Sequence, residues 1–237
     1  MTAKERILRH LAGEPVDRIP MIGGWSLGVH NLAALGGVSV DEYLRDPTHY
    51  VVQANRRQGL DGMMSSFVTP TEVDAIRAGS LQEESFAEVA PEALLAAADA
   101  IPETAAALLQ QRFDRVAVEA EYRALIENSL STFDDLAMLL TYWGAPSNFS
   151  LYFTYGYVAF LTAVALYPDA VGRIYWADGI LSRARNEIMV ALMREYDLIP
   201  LVFTGDDICN NAGPMVQPAF LREYYWPHTQ YALEPFL

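Results

Sequence analysis

The sequence predicts an α/β fold in which short parallel strands alternate with longer helices. Short apolar runs bounded by Gly, Pro and Asn alternate with segments whose apolar residues recur at helical spacing. Residues 198–220 carry the clearest strand signal. They begin as an apolar run typical of a strand buried on both faces, and they turn polar at Gly205. Because α/β folds place their chemistry at such strand ends, we expect the functional site here.

Length and composition narrow the class of protein. The 237 residues are 52% hydrophobic, enough for a sizeable core, and we expect a single domain over residues 1–237. A formal net charge of −14 argues against a nucleic acid or an anionic membrane as partner. The one cysteine, Cys209, excludes an internal disulfide and a Cys-rich zinc site. With no apolar signal peptide and no convincing membrane span, the chain is expected to be cytoplasmic.

Capping residues predict three helix starts in the first quarter of the chain. The first helix is expected to stop at Gly13 and the third to run to about Gly59. Short strands are expected at residues 19–24 and 61–67. The capping pairs are Thr2 with Glu5, Ser39 with Glu42, and Asp46 with Pro47.

The rest of the chain continues the alternation. The expected helices are 91–111 broken at Pro102, 114–130, 156–167, 169–196, and one from Pro218 whose first part ends near Pro227. The expected strands are 137–143, 149–154 and the apolar run 198–203. These make about five strands in all, where a closed (β/α) barrel needs eight.

Two adjacent carboxylates, Asp206 and Asp207, are the first candidates for the site. Neighbouring side chains at a strand end diverge, so one can face a substrate while the other braces the loop through backbone N–H groups. A carboxylate there could orient a substrate amine, accept a proton or bind a metal ion. The alternative is an Asx-type turn in which both carboxylates organise the loop.

Five further residues are candidates for binding a substrate. Asn210 and Asn211 offer amides, although Asn is also a common turn residue. Trp25 and His30 follow the first expected strand, and Tyr155 belongs to an aromatic run. By contrast, a lone Cys209 is typical of a small buried apolar residue, and His228 of a structural or exposed one. The chain contains no GxGxxG, Walker or HExxH motif.

Three separated blocks resemble the uroporphyrinogen decarboxylase superfamily. They are TAKERILRHLAGEPVDRIP, VDEYLRDPTHYVVQANRRQGLDGM and GDDICNNAGPMVQPAFLREYYWPH, and they occur in the family order. The resemblance implies a (β/α)8 TIM barrel with its site at the C-terminal mouth. With about five strands, the barrel is expected to be truncated or incomplete at the C-terminus.

The superfamily contains porphyrinogen decarboxylases and cobalamin-dependent methyltransferases. The decarboxylases carry an Arg-rich block after the first strand and an Asp after the next. This chain has GGWSLGVHNL and MMSSFVTP at those places. A substrate with eight carboxylates needs cationic contacts, so the resemblance favours a corrinoid-dependent methyltransferase. Uroporphyrinogen decarboxylase itself is the alternative.

The methyltransferase branch implies zinc, a corrinoid protein as partner and a small-molecule substrate. Its zinc is held by His and Cys residues beyond the segment that matches this chain, so the usual ligands are absent from the 237 residues. An incomplete barrel further predicts a homo-oligomer or a second chain that completes the fold. A third possibility is a non-catalytic binding or assembly subunit.

Overall fold

The computed structural model describes residues 1–23, 28–64, 89–140 and 149–237. These residues fall into two units. Unit 1 holds the described parts of residues 1–83, 122–141 and 193–203, and unit 2 holds those of residues 84–121, 142–192 and 204–237. The single domain expected over residues 1–237 stays a prediction.

Side-chain caps fix the first helices of unit 1. The Thr2 hydroxyl accepts the N–H of Glu5 while the Glu5 carboxylate accepts the N–H of Thr2, which confirms the predicted capping box. Ser39 and Asp46 likewise accept backbone N–H groups three residues further on, as predicted. The helices are α1 (Ala3–Leu11), α2 (Val29–Gly36), α3 (Val40–Tyr43) and α4 (Pro47–Arg57).

A small parallel sheet lies at the centre of unit 1. Its strands pair in the order β1-β2-β3, and Leu140 adds one parallel bridge to Val202. A Cβ added at Gly62 would lie 2.5 Å from the Leu139 side chain and 3.1 Å from the Ala137 carbonyl oxygen, so a larger residue here would require the Leu139 side chain to move. Ile7 from α1 packs with Ala137 in the same core. The strands are β1 (Ile22–Gly23), β2 (Gly62–Met64) and β3 (Ala137–Leu139).

A buried carboxylate ties α1 to the start of this sheet. Asp61, 1% exposed, accepts hydrogen bonds from the Arg6 and Arg18 guanidinium groups and from the Met21 N–H, the last at 2.9 Å. Burial alone would raise the pKa of Asp61, but these three donors outweigh it and the net pKa is lowered. Asp17 bonds the other edge of the Arg6 guanidinium at 2.6 Å.

Unit 2 is built mainly from helices. Their termini lie within a few residues of those predicted, and Pro102 separates α5 from α6 as predicted. The first helices are α5 (Glu92–Asp99), α6 (Ala105–Arg112), α7 (Arg115–Phe133), α8 (Tyr152–Tyr155), α9 (Tyr157–Leu166) and α10 (Pro168–Glu195). Helix α7 belongs to unit 2 up to residue 121, and α10 up to residue 192. The antiparallel hairpin β4 (Cys209–Asn210) and β5 (Gly213–Pro214) follows, and then α11 (Pro218–Phe220), a π-helix (Leu221–Tyr225), α12 (Trp226–Leu233) and a 3₁₀-helix (Glu234–Phe236).

Aromatic rings fill the core of unit 2. Phe149, Phe160, Tyr175 and Tyr225 are fully buried, and the Phe149 ring meets those of Phe160 and Tyr225 edge to face with centroids 5.4 and 5.5 Å apart. Helix α9 supplies Phe160 and carries no charged residue, but it is only 10 residues long. Within the described ranges, no helix has both the length and the apolar character needed to cross a membrane.

The predicted (β/α)8 TIM barrel is wrong. The described residues are mostly helical, and their five strands are two or three residues long and lie in two small sheets that close no barrel. Residues 152–154 of the predicted strand 149–154 instead lie in α8, and residues 149–151 precede that helix. The apolar run 198–203 contributes a single bridge, and Phe203 is 40% exposed. Parallel pairing itself is confirmed for β1, β2 and β3.

Candidate functional site

Asp206 is anchored on both of its carboxylate oxygens inside unit 2. Its Oδ1 accepts the backbone N–H of Phe149 at 3.1 Å, and its Oδ2 accepts the Tyr225 hydroxyl. The Tyr175 hydroxyl donates to the Phe149 carbonyl at 2.9 Å, so both backbone groups of Phe149 are satisfied. The residue that the sequence offered as a brace or as a reactive group thus acts as the brace.

The pKa values of both Asp206 and its hydrogen-bond partner Tyr225 are raised. Burial raises the pKa of Asp206, and the hydrogen bonds from Tyr225 and Phe149 reduce that rise without cancelling it. Burial raises the pKa of Tyr225 well above its usual range, and the charge of Asp206 adds to the effect. Tyr225 therefore stays a neutral hydrogen-bond donor at neutral pH, and the carboxylate is held by charge-assisted bonds.

Asp207 is exposed beside this anchored residue. The pKa of Tyr157 is raised by its hydrogen bond with Tyr152, by burial and by charge, and Asp207 contributes to that charge. The rings of Tyr152 and Tyr157 stack with centroids 4.1 Å apart. The Asp207 carboxylate therefore lies within electrostatic range of an aromatic pair and open to a solute, a geometry in which it can accept a proton or orient a cation.

The π-helix determines where the Tyr225 hydroxyl points. Pro227 has no N–H to donate to the carbonyl of Glu223, and its ring would crowd that carbonyl in a regular α-helix. The helix widens instead, so that the Trp226 N–H bonds to the Leu221 carbonyl five residues back. This widened turn carries Tyr225 against Asp206.

The structure brings together only some of the predicted site residues. Asp206, Asp207, Tyr155, Asn210 and Asn211 all lie in unit 2. Asn210 Oδ1 accepts the N–H of Ala212 at 2.8 Å, so this side chain makes the Asx turn that was the alternative to substrate binding. Asn211 is exposed in the turn of the β4–β5 hairpin.

The remaining residues considered in the sequence are Tyr155, His30, Trp25, Cys209 and His228, and none has a described bond to Asp206 or Asp207. Tyr155 is half-buried at the end of α8, and burial raises its pKa. His30 is exposed in α2, within unit 1, and Trp25 lies outside the described residues. Cys209 is exposed, so the prediction of a buried thiol is wrong. His228 is half-buried in α12, where burial lowers its pKa, so its imidazole is neutral at pH 7.

Zinc, which the family resemblance implies, does not fit the residues present. With a single cysteine, the chain cannot form a His and two-Cys ligand set. In the described part of the chain, no three His, Cys, Asp or Glu side chains cluster closely enough to hold a metal ion. No chemical step is therefore derived through zinc.

No protein-family model, curated protein or solved structure matches this chain. The resemblance to the uroporphyrinogen decarboxylase superfamily therefore stays a prediction. The site rests on the side-chain geometry of unit 2.

Sequence reasoning missed the partners of Asp206. Tyr225, Tyr175 and Phe149 are far from one another along the chain, and no local spacing links them to residue 206. A signal did exist for Tyr225. A proline inside a helical segment, here Pro227, indicates a local distortion, and such distortions are frequent beside functional groups.

Proposed function

We propose that this chain is an enzyme acting on a small molecule at the loop that carries Asp206 and Asp207. The observation that carries the proposal is the division of labour between two adjacent carboxylates. Asp206 is fixed by Phe149 and Tyr225, whereas Asp207 is exposed and lies within electrostatic range of Tyr157. A rigid residue thus holds its reactive neighbour in position, which supports general acid–base chemistry by Asp207.

The class of reaction comes from the family resemblance, which favours methyl transfer. In such a step the bond from the methyl group to its donor breaks as the acceptor's sulfur or nitrogen bonds to the methyl carbon. The proton that the acceptor loses passes to the Asp207 carboxylate. The resemblance implies that a corrinoid carried by a partner protein would supply the methyl group, and Asp206 acts by holding the loop.

Purified protein tests the proposal with two substrates. Methylcobalamin and a simple thiol such as 2-mercaptoethanol, with and without added zinc, report methyl transfer through the change in the cobalamin absorption spectrum. Uroporphyrinogen reports decarboxylation through formation of coproporphyrinogen. Demethylation that needs the protein supports the proposal. Coproporphyrinogen formation supports the decarboxylase alternative, and neither product indicates a binding or assembly subunit.

The cytoplasmic location and a homo-oligomeric state remain proposals of the same kind. Size-exclusion chromatography with light scattering measures the oligomeric state directly. We do not propose a second chain that completes a barrel, because the described strands lie in two small sheets that form no barrel.

A further inference from the structure

An apolar cleft of about 660 Å³ opens in unit 2. Its volume lies in the range of sites for small organic ligands. The walls are the C-terminal half of α9, the start of α10, and the chain from β5 into the π-helix. Neither Asp206 nor Asp207 lines it.

Three prolines give the cleft a rigid wall. Pro168, Pro214 and Pro218 each fix one backbone φ angle, so the wall loses little freedom when a ligand binds. Val216 and Phe220 are buried at the cleft and supply an apolar surface. The cleft is therefore formed before any ligand arrives.

Two aromatic residues, Phe220 and Tyr224, line the cleft together with Glu223. The rings of Phe220 and Tyr224 lie with centroids 5.2 Å apart. The Tyr224 hydroxyl donates to Asp169 Oδ1 at 2.9 Å, and its ring packs on Gly172, where an added Cβ would come within 2.4 Å of the ring. Tyr224 is thus held in one position, with its hydroxyl already engaged.

The charge at this end of the cleft is negative. Glu223 is exposed and lines the cleft, and Asp169 lies at the Tyr224 hydroxyl. The hydrogen bond to Asp169, burial and the charges of Asp169 and Glu223 raise the pKa of Tyr224 to about 12. Along the described wall no lining residue is cationic, and Arg222, which precedes Glu223, does not line the cleft.

We propose that this cleft is a binding site for a small organic cation, an amine with an apolar or aromatic body. The body fills the apolar part, and the ammonium group lies beside the Glu223 carboxylate at the Tyr224 ring, where ion pairing and cation–π attraction act together. An anion of the same shape is repelled. This site is independent of the proposed function at Asp207.

Calorimetric titration of the full chain with three probes of one shape tests this site. The probes are 3-phenylpropylamine, 3-phenylpropan-1-ol and 3-phenylpropanoic acid at pH 7 and low salt. The amine is expected to bind about fivefold more tightly than the alcohol, because an exposed ion pair contributes about 1 kcal/mol. The acid is expected to bind more weakly than the alcohol. Raising the salt concentration should narrow the difference.

Two variants locate the binding in the cleft. Glu223→Gln should bring the affinity for the amine down to that for the alcohol and leave the alcohol unchanged, while the control Glu103→Gln, an exposed residue of unit 2 that does not line the cleft, should change neither. Ala165→Trp, on the exposed rim of α9, should weaken all three probes. Equal binding of acid and amine, an unchanged affinity in Glu223→Gln, or no binding of any probe would overturn the proposal.

Discussion

At the residue scale, the two adjacent aspartates differ in what removing them costs. The Asp206 carboxylate satisfies the Phe149 N–H and the Tyr225 hydroxyl, both buried, whereas Asp207 makes no such anchoring bond among those described and is exposed. Hydrogen bonds to a charged acceptor are the stronger kind, and a buried donor left without an acceptor is costly. Asp206 therefore stabilises the fold, whereas the Asp207 carboxylate is accessible to a substrate.

We predict that Asp206→Ala lowers the free energy of unfolding by about 1–3 kcal/mol, because it strands two buried donors. Asp207→Ala is expected to stay within about 0.5 kcal/mol of the unchanged protein, as exposed substitutions usually do. Urea denaturation of the two variants side by side measures the difference. Equal effects of the two substitutions would refute the division of labour.

The raised pKa of Asp206 makes its contribution depend on pH. A carboxyl whose pKa is higher in the folded state binds its proton more tightly there. The part of its stability contribution that depends on the bound proton is therefore fully present below its ordinary pKa of 3.8 and is lost as the pH rises through the raised value. We expect the stability advantage of the unchanged protein over Asp206→Asn to shrink as the pH rises from below 3.8 through the raised pKa of Asp206. Thermal unfolding over that range checks this, and an advantage that grows with pH would be contrary to it.

At the element scale, the sequence predicted the helices better than the strands. Capping boxes and proline positions act within four residues, so Thr2, Asp46 and Pro102 could be interpreted without tertiary information. Strand formation depends on partners distant in the chain. The aromatic residues in 149–154 suit a strand by propensity, yet the structure places Tyr152 in a helix. There the ring of Tyr152 stacks on the ring of Tyr157.

The end of α10 offers a local test. The N–H groups of Asp197 and Leu198 bond back to the carbonyls of Arg194 and Met193, the pattern of a Schellman motif, and Asp197 has φ 49° where glycine is usual. Asp197→Gly is expected to raise the free energy of unfolding by up to about 1 kcal/mol, because it removes the cost of the left-handed conformation. The exposed ion pair to Lys4 that it also removes contributes little.

Asp197→Ala serves as the matched control, because it removes the same ion pair and keeps a Cβ in the left-handed conformation. Guanidinium denaturation should rank the proteins with Gly first, Asp second and Ala third. A glycine variant less stable than the alanine variant would contradict the assignment of the motif.

At the scale of the whole molecule, the barrel fold was predicted from the resemblance to the uroporphyrinogen decarboxylase superfamily, and that prediction was wrong. It implied an incomplete (β/α)8 barrel with about five strands, whereas the described strands span two or three residues, close no barrel, and helices dominate. Three parallel strands in chain order were predictable from alternation alone. What alternation does not give is strand length, which depends on how helices pack on each strand.

The charge network around Asp61 should dominate the acid limb of stability. Because the pKa of Asp61 is lowered in the folded state, its contribution is present above the ordinary value of 3.8 and is lost as the pH falls through the lowered value. Asp61→Asn removes the buried partner of Arg6 and Arg18 and should cost about 3–5 kcal/mol at pH 7, with less difference at pH 2. Denaturation at both pH values measures it, and an equal loss at each would count against this account.

The central claim is that Asp207 is the reacting carboxylate and Asp206 its support. The most direct measurement is kcat/KM for demethylation of methylcobalamin by Asp207→Asn, beside Asp99→Asn as an exposed carboxylate control in unit 2. The account predicts that Asp207→Asn keeps the stability of the unchanged protein and loses about 100-fold or more in kcat/KM, since general base catalysis contributes that much. Asp99→Asn should keep full activity. An Asp207→Asn protein as active as the unchanged one would contradict the account.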